Sequence, residues 1–561
     1  MPPRIYRSPY PDLQLQDIDL TSFVLSNPSN VPLDKPAYID AVSGESRTFG
    51  DVLQRTRALA QGLREQFGVR PNDVVALFSP NTIDYAIISH AVIGCGATVS
   101  PNSATLTAME LRANLETCEA EYLIVHSSLM GIAQRAIQGT SVRHIIQADG
   151  RYAADGTPTA QTLATTCSPS DLVRVLPSEV DNRIAFLCFS SGTSGRAKGV
   201  MTSHKNMTAS VQQWQKHVFD EVVQSGQNLI AFLPFSHIYG LNLYVCSALY
   251  KGMTVVVLPR FDLDIYLGCV QKYRPEDLAL VPPVALLLVK DPRVDRYDLG
   301  SVKRIMSAAA PLSVELARSV EAKFKQAYGT TVHCYQAWGL TETSPLATAV
   351  PLSRMDKRDG VGCITPNMEF RFVDPDTMLD AEVEDDGTTK PAEIWCRGPN
   401  VTQGYFKNED GTQHAFFVDR EGRRWFRTGD IGTIDREGFV RICDRIKEMI
   451  KYKGMQVIPS ELEGRLLDHP DVQDAGVIGV WVEEQATELP LAFVVIRPEA
   501  RRKGEQTVVR DIHEWLNKRV ANHKRLRGGI QLVDSIPKNP SGKIWRRELR
   551  DLWKNRGAAR L

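Results

Sequence analysis

The chain has 561 residues, too many for one ordinary hydrophobic core, so at least two domains are expected. Lysine plus arginine equals aspartate plus glutamate at 66 each, a balance that argues against nucleic acid as the main partner. The ten cysteines include no C-x-x-C pair, so neither a zinc site nor a disulfide framework is indicated and a reducing compartment fits.

In chain order, MPPRIYRSPYPD opens the sequence without the apolar h-region of a secretory signal. Prolines at 2, 3, 9, 11, 28, 32 and 36 make residues 1 to about 50 an irregular lead-in. Helical spacing follows over 49–67, a strand over 74–78, a buried helix over 84–94 and a strand over 98–100. A helix over 108–118 and a strand over 122–125 continue the order. This βα alternation predicts a parallel sheet covered by helices, with ligands at the carboxyl ends of its strands.

Residues 183–206 read RIAFLCFSSGTSGRAKGVMTSHKN. An apolar strand breaks at Ser190 into Ser191, Gly192, Thr193, Ser194 and Gly195. Two glycines let backbone N–H groups turn inward, the hydroxyls add donors, and Lys198 adds a compact cation, so the loop suits an anion. A plain Gly/Ser surface turn is the competing reading. A Walker A loop is excluded because Gly199 follows Lys198, and G-x-S-x-G is absent here.

Beyond it, Ser203 is placed to cap a helix whose Val211, Trp214 and Val218 share one face. The run LIAFLPFSHIYG (229–240) is an apolar strand entering an aromatic-histidine turn. Further βα units are expected at 254–258, 278–281 and 304–307. Residues 278–289 are apolar but short and carry Pro282-Pro283, so no transmembrane helix is expected. Strand patterns and acidic turns over about 360–440 suggest a β-rich subdomain, and 447–561 reads as a small α+β unit.

The run from Phe189 to Gly199 resembles the phosphate-binding signature of the adenylate-forming superfamily, which includes acyl-CoA synthetases, peptide-synthetase adenylation domains and luciferases. Other signatures follow in family order. Gln336-Ala337-Trp338-Gly339-Leu340-Thr341-Glu342 is similar to Q-G-Y-G-x-T-E, with Ala337 for glycine and Trp338 for tyrosine. Trp425-Phe426-Arg427-Thr428-Gly429-Asp430 resembles W-x-x-T-G-D, Asp444-Arg445-Ile446-Lys447 the D-R-x-K hinge, and residues 451–457 the K-Y-K-G-x-Q-V tract of CoA ligases. Residues 537–543 resemble the C-terminal lysine motif. The KYKGMQV tract and the HIYG turn point to the 4-coumarate:CoA ligase-like group. Trp481-Val482 departs from the usual Pro-Asp.

The resemblance implies an α/β fold with a large N-terminal domain of layered βα sheets (1–446), including the β-rich part, and a small mobile α+β lid (447–561). It implies ATP, Mg²⁺ and coenzyme A as co-reactants of a small carboxylic acid. ATP would be held by the 190–195 loop, Lys198, Gln336, Ala337, Trp338, Thr341, Asp430, Arg445, Lys447, Lys451 and Lys543. Glu342 would take the metal, and Lys543, Thr341, Glu342 and His237 would serve catalysis. The acid would lie against His237, Tyr239, Ala308, Ala309, Gln336, Ala337 and Gln456, and CoA against Arg260, Lys453 and Gly454. Carrier-protein loading, a luciferase-like side activity and a non-catalytic sensor remain alternatives. Ala559-Arg560-Leu561 resembles the S-K-L peroxisomal address, so a peroxisomal location with an import-receptor contact is expected, otherwise the cytoplasm.

Overall fold

The structure is a computed structural model, and it describes residues 3–558 apart from 191–196, 217–226, 447, 453–454, 486 and 539–542. A six-stranded sheet runs in the order 144–147, 122–125, 74–78, 98–102, 184–190 and 198–203. Its first five strands are parallel, as the βα alternation predicts. The helix Tyr85–Gly94 is buried at every position, which explains an apolar run with no polar face: it lies between layers and has no solvent side. Capping boxes start three other helices, at Thr48, Thr107 and Ser203, so their boundaries follow from local chemistry.

The strand Ile184–Ser190 does not lead into a helix. It pairs antiparallel with Lys198–Ser203, from Ile184↔Ser203 to Ser190↔Lys198, so the glycine-rich loop closes a hairpin at the sheet's edge. Lys198 is thereby the first residue of a strand, with its backbone fixed opposite Ser190. The helix that Ser203 caps runs His204–Trp214, and Val218 lies outside the described residues.

One expectation is corrected. The lead-in is not irregular throughout. Tyr6–Arg7 pairs with Phe370 and Glu369, and Leu20–Val24 is a helix capped by Asp19. Pro36–Asp40 lies parallel to Thr254–Val257, with its proline at the strand's first position, where the missing N–H is tolerated. The β-rich region packs around an apolar cluster of its own while sharing a sheet with its neighbours. Its strands at 362–364, 369–373, 392–397, 424–434 and 439–445 belong to an eleven-stranded sheet that continues through 346–349 into 333–339, 304–307 and 277–280.

A separate apolar cluster forms the smaller C-terminal domain, around the sheet 472–482, 487–496 and 529–532. Ile450–Tyr452 and Met455–Val457 make a hairpin beside it. Among the described residues no helix is long and apolar enough to cross a membrane.

Candidate active site

The strand His333–Gly339 carries Gln336, Ala337 and Trp338 across the large sheet, and a short 3₁₀ turn over Thr341–Thr343 carries Thr341 and Glu342. Gly339 is required by close approach. A Cβ there would lie 1.7 Å from the Pro345 carbonyl oxygen, so the chain can fold back tightly enough to present Glu342 only with glycine.

Glu342 is buried, and its Oε1 accepts a hydrogen bond from the Tyr405 hydroxyl at 3.0 Å. The segment around Tyr405 is laced to the glycine-rich hairpin. Met201 donates its N–H to the Gly404 carbonyl at 2.9 Å, and Phe406 to the Gly199 carbonyl at 2.8 Å. Thr402 N–H donates to the Glu342 carbonyl at 2.9 Å. Lys198 Nζ lies 4.4 Å from the centre of the Tyr405 ring, a cation–π contact. Burial and then the Glu342 charge push the Tyr405 phenol far above its ordinary range, so it stays a donor.

Asp430 sits on the strand Arg424–Ile434, opposite Arg445. Gly429 just before it has φ +70°, a turn that favours glycine. Trp338 Nε1 donates to Asp430 Oδ2 at 2.9 Å, and Arg445 Nε lies 2.9 Å from Oδ1. The Asp430 charge raises the Arg445 pKa further.

Lys543 comes to these groups from the C-terminal domain. The residue is exposed, yet the protein around its ammonium lowers its pKa to about 8, chiefly by desolvation and then through Arg445. Asp430, Glu342 and Glu448 pull the other way, which places all five charges in one neighbourhood. His237 belongs to it as well. Burial, and then repulsion from Lys543, lowers its pKa to about 4, so the imidazole is neutral near pH 7. Its Nδ1 accepts from Tyr239 N–H at 3.3 Å, which puts the ring proton on Nε2.

Other predicted residues sit differently. Tyr239 is buried near Trp214, and its hydroxyl has no hydrogen-bond partner among the described residues. Gln336 is a tie as much as a lining residue, its Oε1 accepting from Leu312 N–H at 2.7 Å. That bond anchors the Ala308–Ala309 loop, in which Ala309 adopts φ +71°. Both alanines are partly buried, and Ala337 is buried. Thr341 is partly buried, and Arg260 is exposed. Ser190 ends its strand, whereas Ser191, Gly192, Thr193, Ser194 and Gly195 lie outside the described residues, as do Lys447, Lys453 and Gly454. The backbones of Lys451 and Gln456 pair across the hairpin. Residues 559–561 are also outside.

Two participants carried no sequence signal. Tyr405 is a lone aromatic after Gly404 in V-T-Q-G-Y, and only its place beside Lys198 and Glu342 marks it. Arg546, just past Lys543, donates through Nη2 to both oxygens of Glu463 at 2.8 and 2.7 Å and through Nη1 to Glu448. It braces the lysine's segment against the strand-turn after the hinge. Glu463 is pushed up to about 7 by burial, against the pull of Arg546.

Two family models give the chain its class, that of an ATP-dependent adenylating enzyme. The AMP-binding enzyme family model matches residues 26–406, and that of the AMP-binding enzyme C-terminal domain matches 461–543. The chain belongs to this family and is an AMP-forming acid–CoA ligase of the adenylate-forming superfamily, similar to the 4-coumarate:CoA ligases. It is 36% identical to "4-coumarate--CoA ligase-like 1" of Arabidopsis thaliana, over 98% of this chain and 96% of that protein. It is 33% identical to "Peroxisomal OPC-8:0-CoA ligase 1" of the same plant, over 97% and 94%. Among solved structures, a long-chain-fatty-acid–CoA ligase from Archaeoglobus fulgidus is similar with TM-score 0.71 and 26% identity, covering 94% of this chain and 99% of that one. ATP-bound MatB from Rhodopseudomonas palustris shares the fold with TM-score 0.82 at 24% identity, over 96% and 99%.

Proposed function

We propose that this ligase activates an aryl or medium-chain aliphatic carboxylic acid, in secondary metabolism, through two half-reactions at one cleft. The observation that carries the reading is Lys543, a lysine of the small domain, lying within electrostatic reach of Glu342, Asp430, Arg445 and His237 of the large one. In the first step a carboxylate oxygen attacks the α-phosphorus of ATP, the α–β phosphoanhydride bond breaks, and pyrophosphate leaves with the electron pair. In the second the CoA thiolate attacks the acyl carbon, its bond to the phosphate oxygen breaks, and AMP leaves.

The barrier to the first step is crowding of anions, so donors and cations matter more than a protein nucleophile. The hairpin loop and Lys198 would hold the β- and γ-phosphates, Thr341 a phosphate oxygen, and Asp430 the ribose hydroxyls. Lys543 would clamp the reacting oxygens. Neutral His237 would present its Nε2 proton to the acid without repelling Lys543 further, beside a small wall of Ala308, Ala309 and Ala310 in a pocket narrowed by Ala337. The three alanines support a flat or medium-length tail.

Glu342 fits a magnesium ion that arrives with the nucleotide, because Mg²⁺ usually takes one or two carboxylates and completes its shell with phosphates and water. Bound there, the ion would neutralise phosphate charge. Withdrawal of Lys543 after adenylation, by rotation about Lys447, would bring Lys453-Gly454 to the thiol path, with Arg260 near a CoA phosphate. A peroxisomal location belongs to the same reading, supported by the printed name of one relative.

The test is pyrophosphate release across a panel of aryl and aliphatic acids, with CoA thioester read by mass. Lys543→Ala is expected to lower adenylation by about a thousandfold or more while leaving thioester formation from supplied acyl-adenylate within about tenfold. An equal fall in both half-reactions would overturn the two-step use of the lysine.

A further inference from the structure

The indole of Trp338 is chemically more than a flat surface. Its Nε1–H is 2.9 Å from Asp430 Oδ2. The ring is braced edge-on by Phe370, with centroids 6.0 Å apart at 78°. The carboxylate it holds is almost wholly buried, with 4% of its side chain exposed. On the other oxygen the arrangement is looser. Arg445 Nε is within 2.9 Å of Oδ1, but Oδ1 has no aligned hydrogen bond among the described residues, and the Arg445 side chain is 37% exposed.

The two contacts therefore differ in kind. The indole contact is directed, partly buried and mounted on a strand inside the sheet. The guanidinium contact is an off-axis ion pair made by a long side chain that reaches solvent. A carboxylate offers about four acceptor positions. The indole uses one on Oδ2, which leaves a lone pair there and uncovers Oδ1 when the guanidinium swings aside. That is the demand of a vicinal diol, with one hydroxyl donating to each oxygen. A phenol at position 338 carries its donor at the far tip of a single ring, so this N–H contact belongs to tryptophan.

We propose that Trp338 is a positioning residue for the nucleotide ribose: its indole N–H locks Asp430 in the orientation that accepts both ribose hydroxyls, while Arg445 acts as the movable cover. The proposal rests on the reading of Asp430 as the ribose carboxylate. It goes beyond that reading by assigning the nucleoside selectivity partly to a residue that would otherwise serve only as a stacking surface.

The experiment compares ATP with its 2′-deoxy and 3′-deoxy analogues in pyrophosphate release, for the wild type and three variants. The first is Trp338→Phe. The second replaces Trp338 by benzothienylalanine, which keeps the bicyclic surface and volume but has no N–H. The third is Asp430→Asn. Loss of a hydrogen bond to a buried charge predicts a KM for ATP raised about tenfold in both Trp338 variants, with the preference for ATP over the deoxy analogues shrinking by a similar factor. The loss should fall more on KM than on kcat. Wild-type KM and preference in the benzothienyl variant would overturn the proposal and leave Trp338 a stacking surface, even if Trp338→Phe were impaired or failed to fold. Full preference retained by Asp430→Asn would instead overturn the ribose assignment beneath it, and preference lost there but kept in both Trp338 variants would sink the positioning role alone.

Discussion

The two carboxylate corners of the cleft are built on one plan and finished differently. Glu342 and Asp430 are both buried, and each accepts one hydrogen bond from an aromatic donor, the Tyr405 hydroxyl at 3.0 Å and the Trp338 indole at 2.9 Å. The cations are arranged unlike each other. Lys198 stands over the face of the Tyr405 ring and leaves Glu342 to act as a negative charge on whatever lies beside it. Arg445 is paired directly to Asp430 and largely neutralises it. An uncompensated carboxylate suits a site that must take a cation, and a compensated one suits a site that only accepts neutral hydroxyls. Lys543 lies within reach of both, so it feels one net anion and one near-neutral pair.

That difference makes Glu342→Gln the most damaging change expected at either corner. The amide keeps the Tyr405 hydrogen bond through its oxygen and removes only the charge. Pyrophosphate release is expected to fall about a hundredfold or more, with part of the loss recovered at high Mg²⁺. An effect confined to the KM for ATP, and no larger than that of Asp430→Asn measured alongside, would erase the distinction between the corners. Tyr405→Phe is a milder test of the same corner. It deletes one bond to a buried charge, and about a tenfold loss in kcat is expected with the preference for ATP over deoxy analogues unchanged. Trp338→Phe should show the opposite split, and a Tyr405→Phe variant that behaved like it would mean that both aromatics serve the nucleoside.

These corners also mark where the sequence is readable. Glu342 and Asp430 stand in runs whose order resembles the family's signatures, although either run alone reads as an ordinary turn, and Gly339 and Gly429 in the same runs are needed for a close approach and a left-handed turn. Helices at 49–66, 108–118 and 204–214 were legible because capping boxes and periodicity are local. What escaped is non-local. The pairing of Tyr6 with Phe370, the fusion of the 362–445 strands into one sheet with 277–339, and the hydroxyl of Tyr405 on Glu342 join residues whose neighbours in sequence say nothing about each other. Arg546 is the same case, an ordinary member of a basic run until Glu463 and Glu448 are seen around it.

The finest test of the comparison is pH, because Lys543 reads both corners at once. Its pKa is lowered from 10.5 to about 8 by burial and Arg445, against the raising pull of Asp430 and Glu342. The charged form is the active one, so kcat/KM for ATP in pyrophosphate release should fall as pH rises through about 8, to about a tenth of the plateau one unit above it. His237, at about 4, is neutral across this range and adds no limb there. Bound ATP brings further negative charge and should carry the limb in kcat to higher pH than the limb in kcat/KM. Removing either carboxylate should do the reverse: Asp430→Asn, which also leaves Arg445 unopposed, should move the limb in kcat/KM furthest below 8, and Glu342→Gln somewhat less. The sign of the linked stability separates this from simple alkaline unfolding. An unfolded Lys543 keeps its proton up to about 10.5, so between about 8 and 10.5 the unfolded chain binds more protons at this residue and its contribution to folding stability rises with pH. Activity therefore falls through a window in which this group makes the fold more stable. A wild-type denaturation midpoint that dropped alongside activity above pH 8, relative to Lys543→Ala measured in the same buffers, would assign the limb to unfolding and not to the lysine.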